Sequence, residues 1–516
     1  MPRTAATGGG RYIRATAVGG MNMLTNRRML LVGIAAWSAA SVACAFAQET
    51  WTEVVPGIEY RAYTLEGPIR VFVTRADRSR SDWIFDTMIA QGSLRHGRET
   101  VPDMVARYDD SVNFAGQRYE IKAAVNGSYF HPPTGVPMAG QIVAGWYAFR
   151  FGEYSGGTGF VWKFNRDFVL AGNVRNWPQL QHVVFENDAQ VSIDQLNTPR
   201  GADELAVFTS HYDDRTCTTG DGVEIVVQLG GPLHVVPTSD QNIGTIMDIR
   251  HEADPALLRF DQVVISAGGK AAFEVLKHAR VGQKVRFDMG LIDYGNEDLN
   301  LGKSDWRGAY AGMTGHCYCL VDGVVHSEHW EAKARAKVAA GGKSGAIVQD
   351  PRTALAANDA YLFFVVIDGR SPASKGMTFT QAGEFCRDTL KAKDAILQDG
   401  GGSSIMWVDG KVVNEPSDGH PRAVANGFLL ARVHDPETST DYQSGGRVTS
   451  TSLITDLRLG PGSHYGVVAS VPPDREGTVI EHAMNGIQAK GANWWYCRFG
   501  RIEGWVSSRQ LAALPE

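Results

Sequence analysis

The sequence predicts an α+β fold, a mixed α/β body with one βαβ unit at its centre. Two observations predict this. Tyr361–Ile367 is an unbroken apolar run rich in β-branched and aromatic residues, the length and content of a buried strand. A helical period follows it, and Ala395 to Leu397 then forms a second short apolar run.

The central unit can be justified residue by residue. The first strand stops at the polar break Asp368-Gly369-Arg370. Thr378 and Gln381 fit a capping box, the mark of a helix start. Phe379, Ala382, Phe385, Cys386 and Leu390 recur at helical spacing, and Lys391 and Lys393 are expected in the last turn, where cations are favoured. The second strand ends at Asp399. Strands joined by a crossover helix are expected to be parallel neighbours or near neighbours. Asp368 and Asp399 then share the carboxyl edge of one sheet, where open α/β sheets hold their ligands.

Asp399 runs into Gly400, Gly401, Gly402, Ser403 and Ser404. Three glycines let the backbone take positive φ and approach a ligand, so successive N–H groups can face an anion. No Lys follows the serines, so the phosphate loop of nucleotide hydrolases is not matched. Asp409-Gly410 between short apolar runs predicts a hairpin that braces the loop.

These residues carry a family resemblance. A-V-N-G-S-Y-F at 124–130, P-R-T-A at 351–354, I-D-G-R at 367–370, D-G-G-G-S at 399–403 and N-E-P-S-D-G-H-P-R at 414–422 stand in this order. Together they resemble the phosphodiester glycosidases, a family with a mammalian lysosomal member and many bacterial members linked to exopolysaccharides. Gln398 departs from the pattern, which usually has an apolar residue before the Asp, and Ser128-Tyr129 stands where Gly-Phe is usual. Neither change removes a charged group.

The resemblance implies hydrolysis of a sugar 1-phosphodiester at the anomeric carbon. A phosphate monoester leaves readily, so the site needs cations and N–H donors for phosphate and one carboxylate to activate water or attack C1. Asp399 is expected in that role and Asp368 as the second carboxylate. Arg352, Arg370 and Arg422 are the expected phosphate clamps, because guanidinium pairs bidentately with phosphate oxygens. The amides of Gly400, Gly401 and Gly402 support them. Asn126 is expected to orient a sugar hydroxyl or phosphate oxygen through its amide. Gly127, Thr353, Ser403 and Asn414 complete the substrate-binding set. A simpler reading makes Asp368 and Arg370 a salt bridge that caps the strand. No cofactor is assigned. Two other readings stand beside this one: a non-catalytic envelope protein that binds glycans, and a metal-dependent phosphodiesterase with a divalent cation between Asp368 and Asp399.

With 516 residues and 43% apolar content, the chain has room for two or three domains with their own cores. A net charge of −6 gives no overall attraction for nucleic acid, and 21% charged with 9% aromatic residues excludes a disordered chain. Met21 or Met23 reads as the translation start. Arg27-Arg28, the apolar run from Met29 to Phe46 and Ala45-Phe46-Ala47 read as a secretory signal, cleaved after Ala47, within a leader at 1–47. This implies a periplasmic or secreted protein without a permanent membrane span.

Cys44 falls in the leader, and the other five of the six cysteines show no scaffold spacing. His316-Cys317-Tyr318-Cys319, with His326 and His329 downstream, reads as buried structural cysteines on a strand rather than a zinc site. Trp51 to Arg75 reads as strands with turns at Gly57 and Gly67-Pro68, Thr100 to Tyr108 as a short helix, and Tyr119 to Val125 as a strand. The region 138–250 is Gly-rich with short β-like runs, and His211 with Asp213-Asp214-Arg215 reads as a solvated loop. Gln262 to Ala267, Ala271 to Leu276 and Val281 to Met289 read as strand, helix and strand. Trp330 to Ser344 reads as a basic mobile loop. The catalytic body is thus assigned to 50–434 and a linker to 435–452. The terminal segment resembles bacterial Src-homology-3-like domains through L-R-L-G-P-G-S-H-Y-G-V-V at 457–468, W-W-Y-C-R-F at 494–499 and G-W-V-S-S-R-Q-L at 504–511. This resemblance implies a small all-β barrel at 453–516. Its expected partner is cell-envelope polysaccharide.

Overall fold

A computed structural model describes residues 50–515, apart from residues 96, 139, 153–157, 219–221, 252–254 and 343. The leader at 1–47, with Met21, Met23 and Cys44, lies outside the described residues.

The sheet that carries the site has eight strands. Thr52–Val55, Ile58–Leu65 and Ile69–Asp77 are followed in space by Tyr361–Ile367, Arg352–Ala357, Asp394–Leu397, Cys317–Val321 and Val324–Val325. Arg352–Ala357 runs antiparallel to both Tyr361–Ile367 and Asp394–Leu397. Those two strands are therefore parallel, one strand apart, and both Asp368 and Asp399 leave the same edge. The intervening strand was not foreseen. Its T-A-L-A-A text has low strand propensity, but every residue in it is buried between two largely apolar strands.

One face of this sheet packs on helices. Phe379–Asp388 starts with the expected capping box, Thr378 Oγ1 accepting from Gln381 N–H and Gln381 accepting from Thr378 N–H. The helix ends at Asp388, so the last-turn cation is Arg387; Lys391 and Lys393 fall beyond it, and Lys391 already has a left-handed φ of 56°. A second correction concerns Trp330 to Ser344. Ser327–Ala339 is a helix, made of Ala, Lys and Glu with high helix propensity and no sharp apolar period. Glu331 in it is 5% exposed and accepts the Thr380 N–H at 3.0 Å, at the N-terminus of the next helix where a carboxylate is favoured. Cys317 and Cys319 point into the core between sheet and helices, beside Phe363 and Phe385.

The opposite face packs on two five-stranded sheets. One contains Trp83–Ile89, Asn426–His434, Arg118–Asn126, Met406–Val408 and Lys411–Val412; the other contains Gln141–Val143, Trp146–Phe149, Gly159–Lys163, Phe168–Ala171 and Ala309–Met313. Phe85, Phe160, Phe364 and Phe428 meet where the three sheets converge, with ring centroids 5.5 to 6.5 Å apart. Burying each such ring contributes about 2 kcal/mol, so this junction fixes how the sheets sit. The predicted Asp409-Gly410 hairpin closes the strand pair at 406–412, with positive φ at both residues. A further eight-stranded sheet from residues 181–289 packs on the second five-stranded sheet through its own core. It contains Gln262–Ala267 and Lys284–Met289, joined by the helix Gly269–His278.

The C-terminal region is a sheet with order Val467–Val471, Thr455–Arg458, Ile502–Ser507, Ala492–Phe499, Glu476–Val479, Arg447–Ser450 and Leu511–Ala513; Ile487–Ala489 also pairs with Ala492–Phe499. Among the described residues no pairing joins the first strand of this path to the last. Arg447–Ser450, read as linker, is one of its strands, because Val448 points into the core beside Leu457 and Trp495. The described residues form one compact unit. The C-terminal sheet is docked on the body: Phe260 N–H donates to Leu459 O at 3.2 Å, Lys490 N–H to Asp110 O at 2.7 Å, and His482 Nε2 lies 2.8 Å from Asp261 Oδ2. No helix among the described residues is long and apolar enough to cross a membrane.

Candidate active site

Asp399 follows its strand directly into a tight glycine turn. Gly401 has a φ of 63° and opens a 3₁₀ turn over Gly401–Ser403. Ser403 and Ser404 N–H donate back to Gly400 and Gly401 O, each at 3.2 Å, and Gly401 N–H donates to Pro351 O at 2.9 Å. The Gly401 amide is thus already committed inside the fold and is withdrawn from the expected ligand donors.

At each glycine a different group occupies the space of a missing Cβ. A Cβ on Gly400 would lie 2.8 Å from Pro351 O and 3.7 Å from Arg352 Nη1, and one on Gly401 would lie 2.7 Å from Arg370 Nη2. A Cβ on Gly402 would collide with Arg422 Nη2 and the Asp418 carboxylate. Gly401 and Gly402 therefore let two guanidinium groups close on the turn, and Gly400 lets the Pro351 carbonyl approach it. The three predicted clamps lie around this turn, Arg370 against Gly401, Arg422 against Gly402 and Arg352 beside Gly400.

They differ in charge balance. Arg370 is held by Asp350 in a two-point pair at 2.6 and 2.9 Å, and Arg422 by Asp418 at 2.7 to 2.8 Å. Arg422 Nη1 also donates to Ser403 Oγ at 3.3 Å. Arg352 has no carboxylate partner among the described residues. Its Nε donates to Met377 O at 2.9 Å and its Nη2 to Gly345 and Val348 O at 2.7 and 2.6 Å, with the guanidinium 4.7 Å over the Phe379 ring. Burial lowers its pKa, and Asp350 is the largest opposing influence. Arg352 carries the uncompensated positive charge of the site.

Asp399 faces this turn without an ion pair among the described residues. Burial raises its carboxyl above the ordinary Asp range, while the Ser403 hydroxyl, the Arg422 charge and the Gly400 N–H pull it back. Asp368 lies at the same edge, 3% exposed, with both oxygens committed. Oδ1 accepts from Asn414 Nδ2 at 3.0 Å and Glu415 N–H at 3.1 Å, and Oδ2 lies 3.2 Å from Arg70 Nη2. Burial raises this carboxyl too, against Asn414 and Arg70. The expected capping pair of Asp368 with Arg370 is replaced: Arg70 pairs with Asp368, and Arg370 turns to Asp350.

The remaining predicted residues hold the turn from beneath. Asn126 is fully buried; its Nδ2 donates to Asp399 O at 2.7 Å, and its Oδ1 accepts from Thr353 Oγ1 at 2.7 Å and Ile405 N–H at 3.2 Å. Its amide is used inside the fold, so the expected contact with a sugar or phosphate gives way to positioning of Asp399. Gly127 O accepts the Asp399 N–H at 3.1 Å. Asn414 joins the two aspartate segments, donating to Asp368 Oδ1 and to Ser404 O at 3.2 Å and accepting from Met406 N–H at 2.8 Å.

Sequence reasoning missed the aromatic side of the site. The His316 ring is exposed and lies edge-on to Tyr129 at 4.7 Å and to Phe379 at 5.3 Å. Tyr129 is 37% exposed. The Ser128-Tyr129 departure was its only signal, and His316 was hidden beside two structural cysteines. Asp350 and Asp418, the carboxylates that neutralise two of the arginines, were also missed. For a metal, Asp399 is the available carboxylate; Asp368 is tied up, and no group of three or more His, Cys, Asp or Glu is gathered among the described residues.

Residues 221–431 match the family model described as phosphodiester glycosidase, which covers less than half of the chain. Over 109 residues the chain is 36% identical to the SPbeta prophage-derived uncharacterized protein YomE of Bacillus subtilis (strain 168), covering 20% of this chain and 17% of that protein. Among solved structures, a hypothetical protein from Synechocystis is similar with a TM-score of 0.48 at 13% identity, over 74% of this chain and 64% of the other. A putative exported protein from Burkholderia pseudomallei K96243 gives 0.46 at 20% identity, over 70% and 74%. The catalytic domain of zebrafish N-acetylglucosamine-1-phosphodiester alpha-N-acetylglucosaminidase, auto-inhibited by its pro-peptide, gives 0.34 at 14%, over 74% and 86%.

Proposed function

We propose that the protein is an exported hydrolase that cleaves glycosyl 1-phosphodiesters at the glycine turn, in envelope or extracellular polysaccharide metabolism. The observation that carries this reading is the pairing of one carboxylate outside any ion pair, Asp399, with three guanidinium groups around the Gly400–Gly402 turn. The phosphodiester sits against Arg352, with Arg370 and Arg422 at its flanks. Asp399 takes a proton from water as the water attacks C1, or attacks C1 itself to form a glycosyl ester that water then hydrolyses to free the sugar and Asp399. The bond between C1 and the phosphate oxygen breaks, and the phosphate monoester leaves with its charge on the arginines. Tyr129 and His316 form the wall against which the sugar rests. The match of residues 221–431 to phosphodiester glycosidases supports the same chemistry.

The test is reducing-sugar release from a panel of sugar 1-phosphodiesters by the mature protein and by Asp399→Asn. Release by the wild type alone is expected. Equal release by both moves the chemistry elsewhere, and no release by a folded wild type leaves the glycan-binding reading. Loss of activity with a chelator would favour the metal-dependent phosphodiesterase, against which stands the full commitment of Asp368 to Arg70, Asn414 and Glu415.

A further inference from the structure

The body and the C-terminal sheet meet around a cavity of about 290 Å³. A continuous arc of rings frames it. His211 lies 5.7 Å from Trp146, Trp146 6.1 Å from Phe114, Phe114 6.1 Å from Phe260, Phe260 6.1 Å from Tyr465, and Tyr465 4.3 Å from His464. The body supplies the first four and the C-terminal sheet the last two, and all six line the cavity. His211, read from the sequence as part of a solvated loop, is therefore a wall residue.

The two imidazoles that end the arc keep unused hydrogen-bonding capacity. Nδ1 of each is buried without a partner. An N–H stranded there costs more than an unfilled lone pair, so the favoured tautomer carries its proton on Nε2. Burial holds both rings neutral. Asp86 also lines the cavity, fixed by Thr87 and Ala144 N–H at 2.7 and 2.8 Å and by the Tyr119 hydroxyl at 3.0 Å, which itself lies 2.6 Å from the Tyr310 hydroxyl. Burial lifts the Asp86 carboxyl to about 7, and Arg107 at the rim is held by Glu99. Among the described residues the wall thus offers ring faces, hydroxyl groups and two imidazole acceptors, and its one cation, Arg107, is already paired.

A pyranose has that complement: C–H faces that rest on aromatic rings and a rim of hydroxyls. The volume lies at the small end of ligand pockets, which run from about 300 Å³ upward, and fits one ring rather than a chain. We propose that this cavity is a second carbohydrate site, taking one uncharged pyranose unit between the body and the C-terminal sheet. It is separate from the glycine turn and does not depend on that turn's chemistry.

Calorimetric titration and tryptophan fluorescence of the full chain, with methyl β-glucopyranoside and N-acetylglucosamine as probes, test this. At least one sugar is expected to bind saturably, with the same affinity in Asp399→Asn and in the presence of inorganic phosphate. His464→Leu and His211→Ala are each expected to weaken it about tenfold, the scale of one lost hydrogen bond, while His464→Gln, whose side-chain oxygen restores an acceptor, stays near wild type. Binding should also raise the melting temperature, because the ligand spans two packed regions. Absence of saturable binding to the wild type, competition by phosphate, or unchanged affinity in both histidine variants would overturn the proposal.

Discussion

Asp368 and Asp399 leave one sheet edge, one strand apart, each after a buried apolar strand. Around Asp368 the chain supplies Arg70, the Asn414 amide and the Glu415 N–H, so the carboxylate has no oxygen to spare. Around Asp399 it supplies three glycines, two arginines balanced by Asp350 and Asp418, and Arg352 with no carboxylate partner among the described residues, and the carboxylate faces the turn. Topology delivers both carboxylates to the edge, and their partners decide which one remains available for chemistry. Asn414 touches both regions, so they are rigidly coupled while being chemically distinct.

The comparison breaks most sharply at Asp399. Asp399→Asn is expected to lower kcat on a sugar 1-phosphodiester by about 100-fold to 10,000-fold, the range for loss of a positioned acid–base group; a loss below that range would end the contrast. Asp368→Ala is expected to act on stability, costing ~3 kcal/mol in a urea melt through the stranded Arg70 charge and two lost hydrogen bonds. Retained hydrolysis by its folded fraction would sharpen the division, whereas unaltered stability with dead chemistry would reverse it. Arg352→Lys is expected to raise KM about tenfold, because a point charge replaces a planar donor that lacks a carboxylate partner. Arg370→Lys should do less, since Asp350 already balances Arg370. If the two changes raise KM equally, charge balance is not what distinguishes the arginines.

The smallest effect is on pH. The Asp399 carboxyl is raised in the folded state, so its contribution to stability is present at low pH and lost as pH rises through the folded value. Asp399→Asn removes that decline and is expected to melt at or above the wild-type temperature at neutral pH. The wild-type rate should fall with acidity around an apparent pKa above the ordinary Asp value of about 3.9. A variant that melts lower at neutral pH, or a rate that holds into that ordinary range, would contradict the assignment.

The strand–Asp–helix–strand–Asp order was legible because Tyr361–Ile367 and the capping box are strong local signals. The strand between them was not, because alanines become strand only through their neighbours. The helix Ser327–Ala339 was missed for the converse reason: its propensity is high while its apolar period is weak. Charged residues of the site could be read from sequence, but not which of them cancel. Asp350 and Asp418 lie 20 residues from Arg370 and four from Arg422, and nothing in the text marks the pairing. Asn126 read as a ligand-facing amide because its hydrogen-bond partners lie far along the chain.

Those partners bear on how the protein reaches its native state. Asn126 bonds to Thr353, Asp399 and Ile405 across separations of 227, 273 and 279 residues. The sheets built from residues 141–313 lie between the two halves of this clamp in sequence. Closing so long a loop is an entropic cost that local contacts cannot offset, so the clamp is expected to form late, after the inserted sheets have collapsed. A newly made chain can then be compact and rich in strands while its glycine turn is still unset. Catalytic competence, on this account, is the last property the molecule acquires.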